Sequence, residues 1–220
     1  MFLLAFTALL PTISAGEPDE ARLVIIELRI REHLSTASEI PLIDDSMHNP
    51  DYLLLPFHWK STIDYYINPS NKQGLSTTGI VNTITISAET WDGETRFEVF
   101  SYIGTTSRTA LKRDRLNIID FGRTSRGTIA VTYIWYIGDS IVETDMRLNT
   151  YYAWSLTGEA TKMDVQDIAT HEFGHWCGLD DLYDEKDYWL TMYGYGDYGQ
   201  TYARSLGKGD ILGLEAVYGN

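Results

Sequence analysis

The sequence predicts an α+β domain, close to α/β in its alternation, with helices packed on one face of a mixed, twisted, five-stranded sheet. From about residue 59, segments rich in β-branched and aromatic residues alternate with clusters of turn residues. Two longer stretches, 77–91 and 164–177, carry apolar residues at helical spacing. The predicted strands are residues 61–67, 97–103, 116–121, 128–136 and 141–148.

Each predicted helix has a set of apolar residues that is expected to face the core. Ser76 or Thr77 can cap the first helix, because their hydroxyls accept hydrogen bonds from free backbone amides. Its apolar residues are predicted to point inward: Ile80, Ile84, Ile86 and Trp91. The second helix is predicted to bury one face and to present His171 on the other. The buried face would consist of Val165, Ala169, Phe173 and Trp176.

Composition restricts the class of protein. The chain has 220 residues, of which 44% are hydrophobic and 13% aromatic, which suits one folded domain and a short leader. A formal net charge of −14 argues against nucleic acid as a partner. The same charge is compatible with an exported monomer and with Ca²⁺ binding by surface carboxylates. Cys177 is the only cysteine, so no internal disulfide can form.

The N-terminal residues predict secretion. Residues 1–10 are apolar but too short to span a bilayer, so no stable membrane insertion is expected. Small residues follow Pro11, which predicts a signal peptide of residues 1–15 cut near Ala15. No lysine or arginine precedes Arg22, so the usual basic region is missing. A truncated start or a buried N-terminal segment are the alternatives.

Residues 16–56 form an N-terminal extension or a short propeptide-like segment. Residues 17–34 suit an amphipathic helix, although residues 23–26 (LVII) equally suit a strand. Either a segment that blocks a cleft or a simple extension packed on the domain is compatible with this composition.

The chemistry of the chain centres on the sequence HEFGHWCGLDD. His171 and His175 are four residues apart, so on a helix both imidazoles share one face and can ligate one zinc ion. Glu172 lies about 100° round the helix from His171, beside the metal, where a general base is needed. Gly178 can end the helix. Asp181 follows ten residues after His171 and can supply a third ligand. A surface helix with two ordinary histidines is the alternative.

These residues resemble the metzincin metallopeptidases, whose mark is H-E-x-x-H-x-x-G-x-x-(His or Asp) followed by a methionine turn. Residues 189–194 (WLTMYG) look like that turn, with Met192 beneath the metal. Residues 206–219 are similar to the closing helix of the matrixin subgroup. The resemblance covers about residues 59–220. It departs from most matrixins in having an aspartate as the presumed third ligand.

The resemblance implies a metzincin catalytic domain over residues 57–220. Residues 57–178 would form the upper subdomain and 179–220 the lower one, with the methionine turn and final helix, and the active-site cleft would lie between them. It implies a zinc endopeptidase acting on protein or peptide substrates, with Glu172 as general base and His171, His175 and Asp181 as ligands. Asp180 and Asp184 are alternatives to Asp181.

The resemblance also implies how a substrate binds. In that family the strand before the last one lies at the sheet edge, and a peptide pairs with it as an additional antiparallel strand. The matching residues are Thr128, Ile129, Ala130, Val131 and Thr132.

Further roles are implied or left open. Tyr193 or Tyr195 could donate a hydrogen bond to the oxyanion or line the specificity pocket. Many matrixins block their zinc with a propeptide cysteine, but no cysteine precedes Cys177. A non-catalytic binding protein on the same scaffold and a zinc amidase are the competing functions.

Overall fold

The computed structural model describes residues 20–31 and 47–219. The predicted signal peptide, residues 1–15, lies outside the described residues. The helices are α1 Thr77–Asp92, α2 Val165–Cys177 and α3 Lys208–Tyr218. The strands are β1 Arg22–Ile30, β2 Leu53–Leu54, β3 Ile63–Ile67, β4 Phe100–Thr105, β5 Asn117–Gly122, β6 Thr128–Ile137, β7 Ser140–Asn149, β8 Trp154–Ser155, β9 Met163–Asp164, β10 Leu179–Asp180 and β11 Tyr195–Gly196.

The main sheet is mixed and has seven strands in the order β11-β1-β6-β7-β5-β3-β4. The five strands expected from the sequence form one continuous block of it, so the α+β class is confirmed. Within that block β3 runs parallel to β4 and β5, β5 runs parallel to β7, and β6 runs antiparallel to β7. The expected count of five was too low, because β1 and β11 extend the sheet beyond β6.

Strand β1 lies within residues 17–34, for which the sequence was compatible with either a helix or a strand. It pairs antiparallel with β6, with Arg22 opposite Tyr136 and Leu28 opposite Ala130. Its side chains alternate, so Ile26 and Leu28 are buried while Ile25 is exposed. The expectation that residues Thr128–Thr132 form a free edge is therefore wrong, because β1 and β7 pair with β6 on its two sides.

Helices α1 and α2 supply the other half of the core. Ile80, Ile84 and Trp91 are fully buried, and the Trp91 indole donates a 2.8 Å hydrogen bond to the carbonyl of Thr170 on α2. Ser76 caps α1 by accepting from the amide of Gly79. Ile86 is 46% exposed, so its expected inward position is wrong; it lies on the solvent side of α1.

The residues after α2 are organised around a buried carboxylate. Asp210, in the first turn of α3, accepts backbone hydrogen bonds from Thr191, Met192 and Gly207 at 2.8, 3.1 and 2.8 Å. This carboxylate therefore links α3 to the methionine turn. Within the described ranges, every helix is too short or too polar to cross a bilayer.

Candidate metal centre

Local features of α2 hold its histidines in position. The Asp164 side chain caps the helix by accepting from the amide of Asp167 at 3.0 Å. The helix ends at Gly178, whose φ of +97° is strained for any residue with a Cβ. The Gly178 amide donates to the carbonyls of Gly174 and His175, which closes the last turn.

Three donor groups of this motif converge at one buried point. Asp181 Oδ1 lies 3.2 Å from His171 Nε2 and 3.5 Å from His175 Nε2. One ligand atom from each residue falls within 4.8 Å of the others. Two helical positions one turn apart and one loop position therefore meet at a point, as the spacing of the motif predicted.

The other nitrogen of each imidazole is tied to the backbone. His171 Nδ1 lies 2.7 Å from the carbonyl of Thr191, and His175 Nδ1 lies 2.9 Å from the carbonyl of Leu179. A carbonyl can only accept, so both Nδ1 atoms carry the proton and both Nε2 lone pairs face Asp181. This tautomer is the one that a metal ligand requires.

The inner atoms of the cluster lack partners. His171 Nε2, His175 Nε2, Asp181 Oδ1 and Glu172 Oε1 are buried and accept or donate no hydrogen bond. Buried polar atoms without partners are costly, on the order of 1–3 kcal/mol each. A zinc ion would satisfy the three ligand atoms, and two imidazoles with one carboxylate are a donor set that zinc accepts. The residues present therefore fit zinc.

The three candidate aspartates differ in their surroundings. Asp181 is 4% exposed and its Oδ2 accepts a 3.0 Å hydrogen bond from the hydroxyl of Tyr183. Asp180 instead accepts from the backbone amide of Asp181 at 2.9 Å. The side chain of Asp184 is exposed and lies 4.0 Å from Lys186. Only Asp181 lies with the histidines among the described residues.

Burial changes the protonation of the cluster. It raises the pKa of Glu172 to about 7, although His171 and the Thr132 hydroxyl act in the opposite direction. Burial lowers the pKa of His171, but the nearby Asp181 carboxylate and then the Glu172 carboxylate outweigh it and raise the pKa to about 9. Burial dominates at His175, whose pKa is lowered.

Glu172 is held by one oxygen only. Its Oε2 accepts a 2.5 Å hydrogen bond from the hydroxyl of Thr132 on β6, while Oε1 has no partner. The sequence predicted that the Thr132 backbone would pair with a substrate, but it did not predict this side-chain contact. It also missed Tyr183, although the alternation of an extended chain places residues 181 and 183 on one side.

Met192 packs against the metal helix. It is 1% exposed, and a Cβ at Gly174 would collide with its sulfur and with the Trp91 ring. Gly174 lies between the two histidines in sequence, so Met192 packs against the helix beneath them. The tight fit explains why α2 has a glycine at this position.

Tyr193 and Tyr195 belong to an aromatic cluster. Their rings are 5.7 Å apart, and Tyr195 also contacts Tyr183 at 5.5 Å. Tyr193 is 4% exposed and contacts Tyr188 at 5.4 Å. Tyr195 therefore contacts the residue whose hydroxyl binds Asp181, and a pocket or oxyanion role for either tyrosine stays a prediction.

Other acidic side chains are engaged by backbone amides. Asp145 accepts from the amides of Lys112 and Ile118 at 3.2 and 2.9 Å, and Glu143 accepts from that of Asp114 at 2.9 Å. Within residues 20–31 and 47–219, His171, His175 and Asp181 form the one group of three or more potential ligands that could hold a metal ion. Binding of Ca²⁺ stays a prediction.

Two histidines on one helix turn, a carboxylate ten residues after the first, and a methionine packed beneath them, all on this mixed sheet, define a metzincin-type metallopeptidase. The sequence model of the family described as Matrixin matches residues 58–219. The chain therefore belongs to the matrixin family. A comparison with curated proteins found no match.

Proposed function

We propose that this chain is a zinc-dependent endopeptidase that hydrolyses peptide bonds in protein or peptide substrates. The observation that carries the proposal is the convergence of three unpartnered ligand atoms beside an unpartnered oxygen of Glu172. No structural purpose explains four buried polar atoms without partners in one place, whereas a catalytic metal and its base need such an arrangement.

Each residue has a distinct task in this proposal. His171, His175 and Asp181 hold the ion, and the carbonyls of Thr191 and Leu179 fix the orientation of the two imidazoles. When bound, zinc supplies Lewis-acid activation of water and of the substrate carbonyl. The remaining steps are proton movements by the protein.

Glu172 carries the proton. Its free Oε1 takes a proton from water and later delivers it to the leaving amine, while Thr132 keeps Oε2 in place. Burial raises the pKa of this carboxyl group to about 7 and so favours a proton on it. Bound cation would lower that pKa, because an adjacent positive charge favours the carboxylate.

A non-catalytic binding protein would not need the general base. Retention of Glu172 in a buried position, with one oxygen left free, favours the enzyme over that alternative. Secretion and a monomeric state remain predictions, and typical secretion of matrixins supports the first. A zinc amidase differs only in its substrate, so substrate assays separate it from a peptidase.

Metal analysis tests the ligand set directly. We expect about one zinc per wild-type chain and almost none for His171→Ala and Asp181→Ala. His58→Ala is the matched control, because His58 lies outside the motif and hydrogen-bonds to Lys60. Equal zinc content in all four proteins would contradict the proposed centre.

Activity tests the assignment of the base. We expect casein hydrolysis that a chelator abolishes and that Glu172→Gln lowers by more than about a hundredfold with zinc retained. Unchanged hydrolysis by Glu172→Gln would exclude Glu172 as the base. The assay is made on the intact chain and on a chain opened by specific cleavage between residues 38 and 39.

A further inference from the structure

Strand β1 occupies the position that a peptide substrate is expected to take. It pairs antiparallel with β6 through eight residue pairs, from Arg22 opposite Tyr136 to Arg29 opposite Thr128. These pairs include Thr128 and residues 130–132 of the segment at which a substrate was expected to add, and the register shift between Leu28 and Arg29 leaves Ile129 without a partner. Because a strand has two edges and β7 pairs with the other edge from Ala130 onwards, residues 130–132 of β6 have no free backbone edge for a substrate.

The far side of β1 contacts the segment after the methionine turn. Arg29 and Ile30 pair in parallel with Tyr195 and Gly196 of β11, and the Arg31 amide donates a 2.9 Å hydrogen bond to the Gly196 carbonyl. Strand β1 therefore runs between β6 and β11, which belong to opposite sides of the expected cleft.

Leu28 anchors β1 in the main hydrophobic core, in an apolar pocket bounded by Ile129 and Ile168. It is 2% exposed, and a Cβ built on Gly196 would lie within 4 Å of Leu28, Ile129 and Ile168 together. These three side chains are therefore neighbours. Ile168 lies three residues, about one turn, before His171 on the same helix. The leucine side chain thus enters the space beside the metal helix.

The inner atoms of the candidate site are buried in the structure that includes β1. The Nε2 atoms of both histidines, Asp181 Oδ1 and Glu172 Oε1 are all buried. Ile26 of β1 lies opposite Thr132, the residue that holds Glu172. A peptide bond must reach these atoms to be cleaved, so the structure described is that of a closed site.

We propose that β1 is an intramolecular inhibitor that binds along β6 as a substrate would, with Leu28 in the apolar pocket, and that it must be displaced before catalysis. The proposal rests on the proposed peptidase function. With no cysteine before Cys177, inhibition uses backbone pairing and one leucine side chain in place of a thiolate on zinc. The covalent link to β1 keeps its local concentration high, so a modest intrinsic affinity is sufficient.

The main experiment cuts the connection between β1 and the rest of the chain. A recognition sequence for a specific protease is inserted between residues 38 and 39, and casein hydrolysis is measured before and after cutting. We expect a rise of at least about tenfold on cutting, because a severed strand loses the local concentration supplied by its tether. The control is the same inserted chain with the cutting protease inactivated.

Single substitutions test the same point in an uncut chain. Leu28→Asp places a charge in the apolar pocket and is expected to raise hydrolysis and to speed hydrogen exchange of the β6 amides. Ile25→Asp is the matched control, because Ile25 lies on the same strand with 48% of its surface exposed. It is expected to behave as wild type. Circular dichroism identifies a variant that fails to fold. In that case the comparison of the intact and cut chains decides the question.

A peptide supplied separately gives a readout independent of activity. The peptide RLVIIELRI, which has the sequence of β1, is expected to bind the cut Glu172→Gln chain and to restore slow exchange at the β6 amides. The same peptide with aspartate at the position of Leu28 is expected to bind at least about tenfold more weakly. In the cut chain with Glu172 intact, only the first peptide should inhibit hydrolysis.

The outcomes separate the two proposals. If the intact chain hydrolyses casein as fast as the cut chain, β1 is not an inhibitor and the peptidase function stands. If the peptide binds and protects β6 but no form of the chain hydrolyses any peptide, the peptidase function falls and β1 remains a displaceable cover. If the peptide does not bind and β6 exchange is unchanged by cutting, β1 is a permanent strand and the inference is wrong.

Discussion

The hydroxyl of Thr132 donates a 2.5 Å hydrogen bond to Oε2 of Glu172 and so connects strand β6 to the metal helix. Both residues are fully buried. The carboxylate is held at one oxygen and has its other oxygen free, which suits a group that must accept a proton and give it up again.

Removing the Thr132 hydroxyl should slow catalysis without loss of metal. We expect Thr132→Val to lower kcat of the cut chain about tenfold, since a hydrogen bond to a charged group contributes roughly 1.5 kcal/mol. The acidic limb of the pH–rate profile should also move upward, because that hydrogen bond lowers the pKa of Glu172. Thr132→Ser keeps the hydroxyl and should stay close to wild type. Equal profiles for the serine and valine variants would show that the contact plays no part.

Removing the Tyr183 hydroxyl should weaken zinc binding. Tyr183→Phe leaves Asp181 Oδ2 without its 3.0 Å donor, and loss of such a partner lowers metal affinity about tenfold. Competition with a chelating dye measures the affinity. Tyr198→Phe is the control, because Tyr198 is similarly exposed and its ring contacts Tyr152 instead. The interpretation fails if both variants bind zinc as wild type does.

Asp167 should make the stability of the metal-free chain depend on pH. Burial, and then Asp164, raise its pKa from 3.8 to about 7. Between these pH values the folded chain keeps a proton that the unfolded chain has released. This contribution to stability is complete below about pH 4 and is lost as the pH rises through 7.

Urea denaturation at pH 5 and pH 8 measures that dependence. The free energy of unfolding of wild type should fall by on the order of 2 kcal/mol more than that of Asp167→Asn over this interval. The asparagine still offers an oxygen to the Ala203 amide, which donates to Asp167 at 2.8 Å in wild type. Parallel pH profiles for the two proteins would contradict the assigned pKa.

Gly174 should tolerate no larger residue while Met192 is present. We expect Gly174→Ala to lower the free energy of unfolding by about 1–3 kcal/mol, because the added carbon meets the Met192 sulfur and the Trp91 ring. In a Met192→Ala background the loss of unfolding free energy should be smaller, since the contact with the Met192 sulfur is removed. A double-mutant cycle with no coupling would exclude contact between these two positions.

The metal helix and the five central strands could be predicted because both depend on local periodicity. The four-residue spacing of His171 and His175 places them on one face of any helix that contains them. Gly178 ends that helix for an equally local reason, its φ of +97°. Ile86 shows the limit of this reasoning, since an apolar residue at helical spacing can still lie on the solvent side.

The sequence by itself determined the α+β class and the shared helix face of His171 and His175, because the helix and strand periods depend on neighbouring residues. Only the tertiary structure decided that β1 covers β6, that Tyr183 supports Asp181 and that Thr132 holds Glu172. Strand β1 pairs with residues about a hundred positions later in the chain. Backbone pairing is available to any extended segment, so which segment pairs with β6 depends on packing between distant parts of the chain.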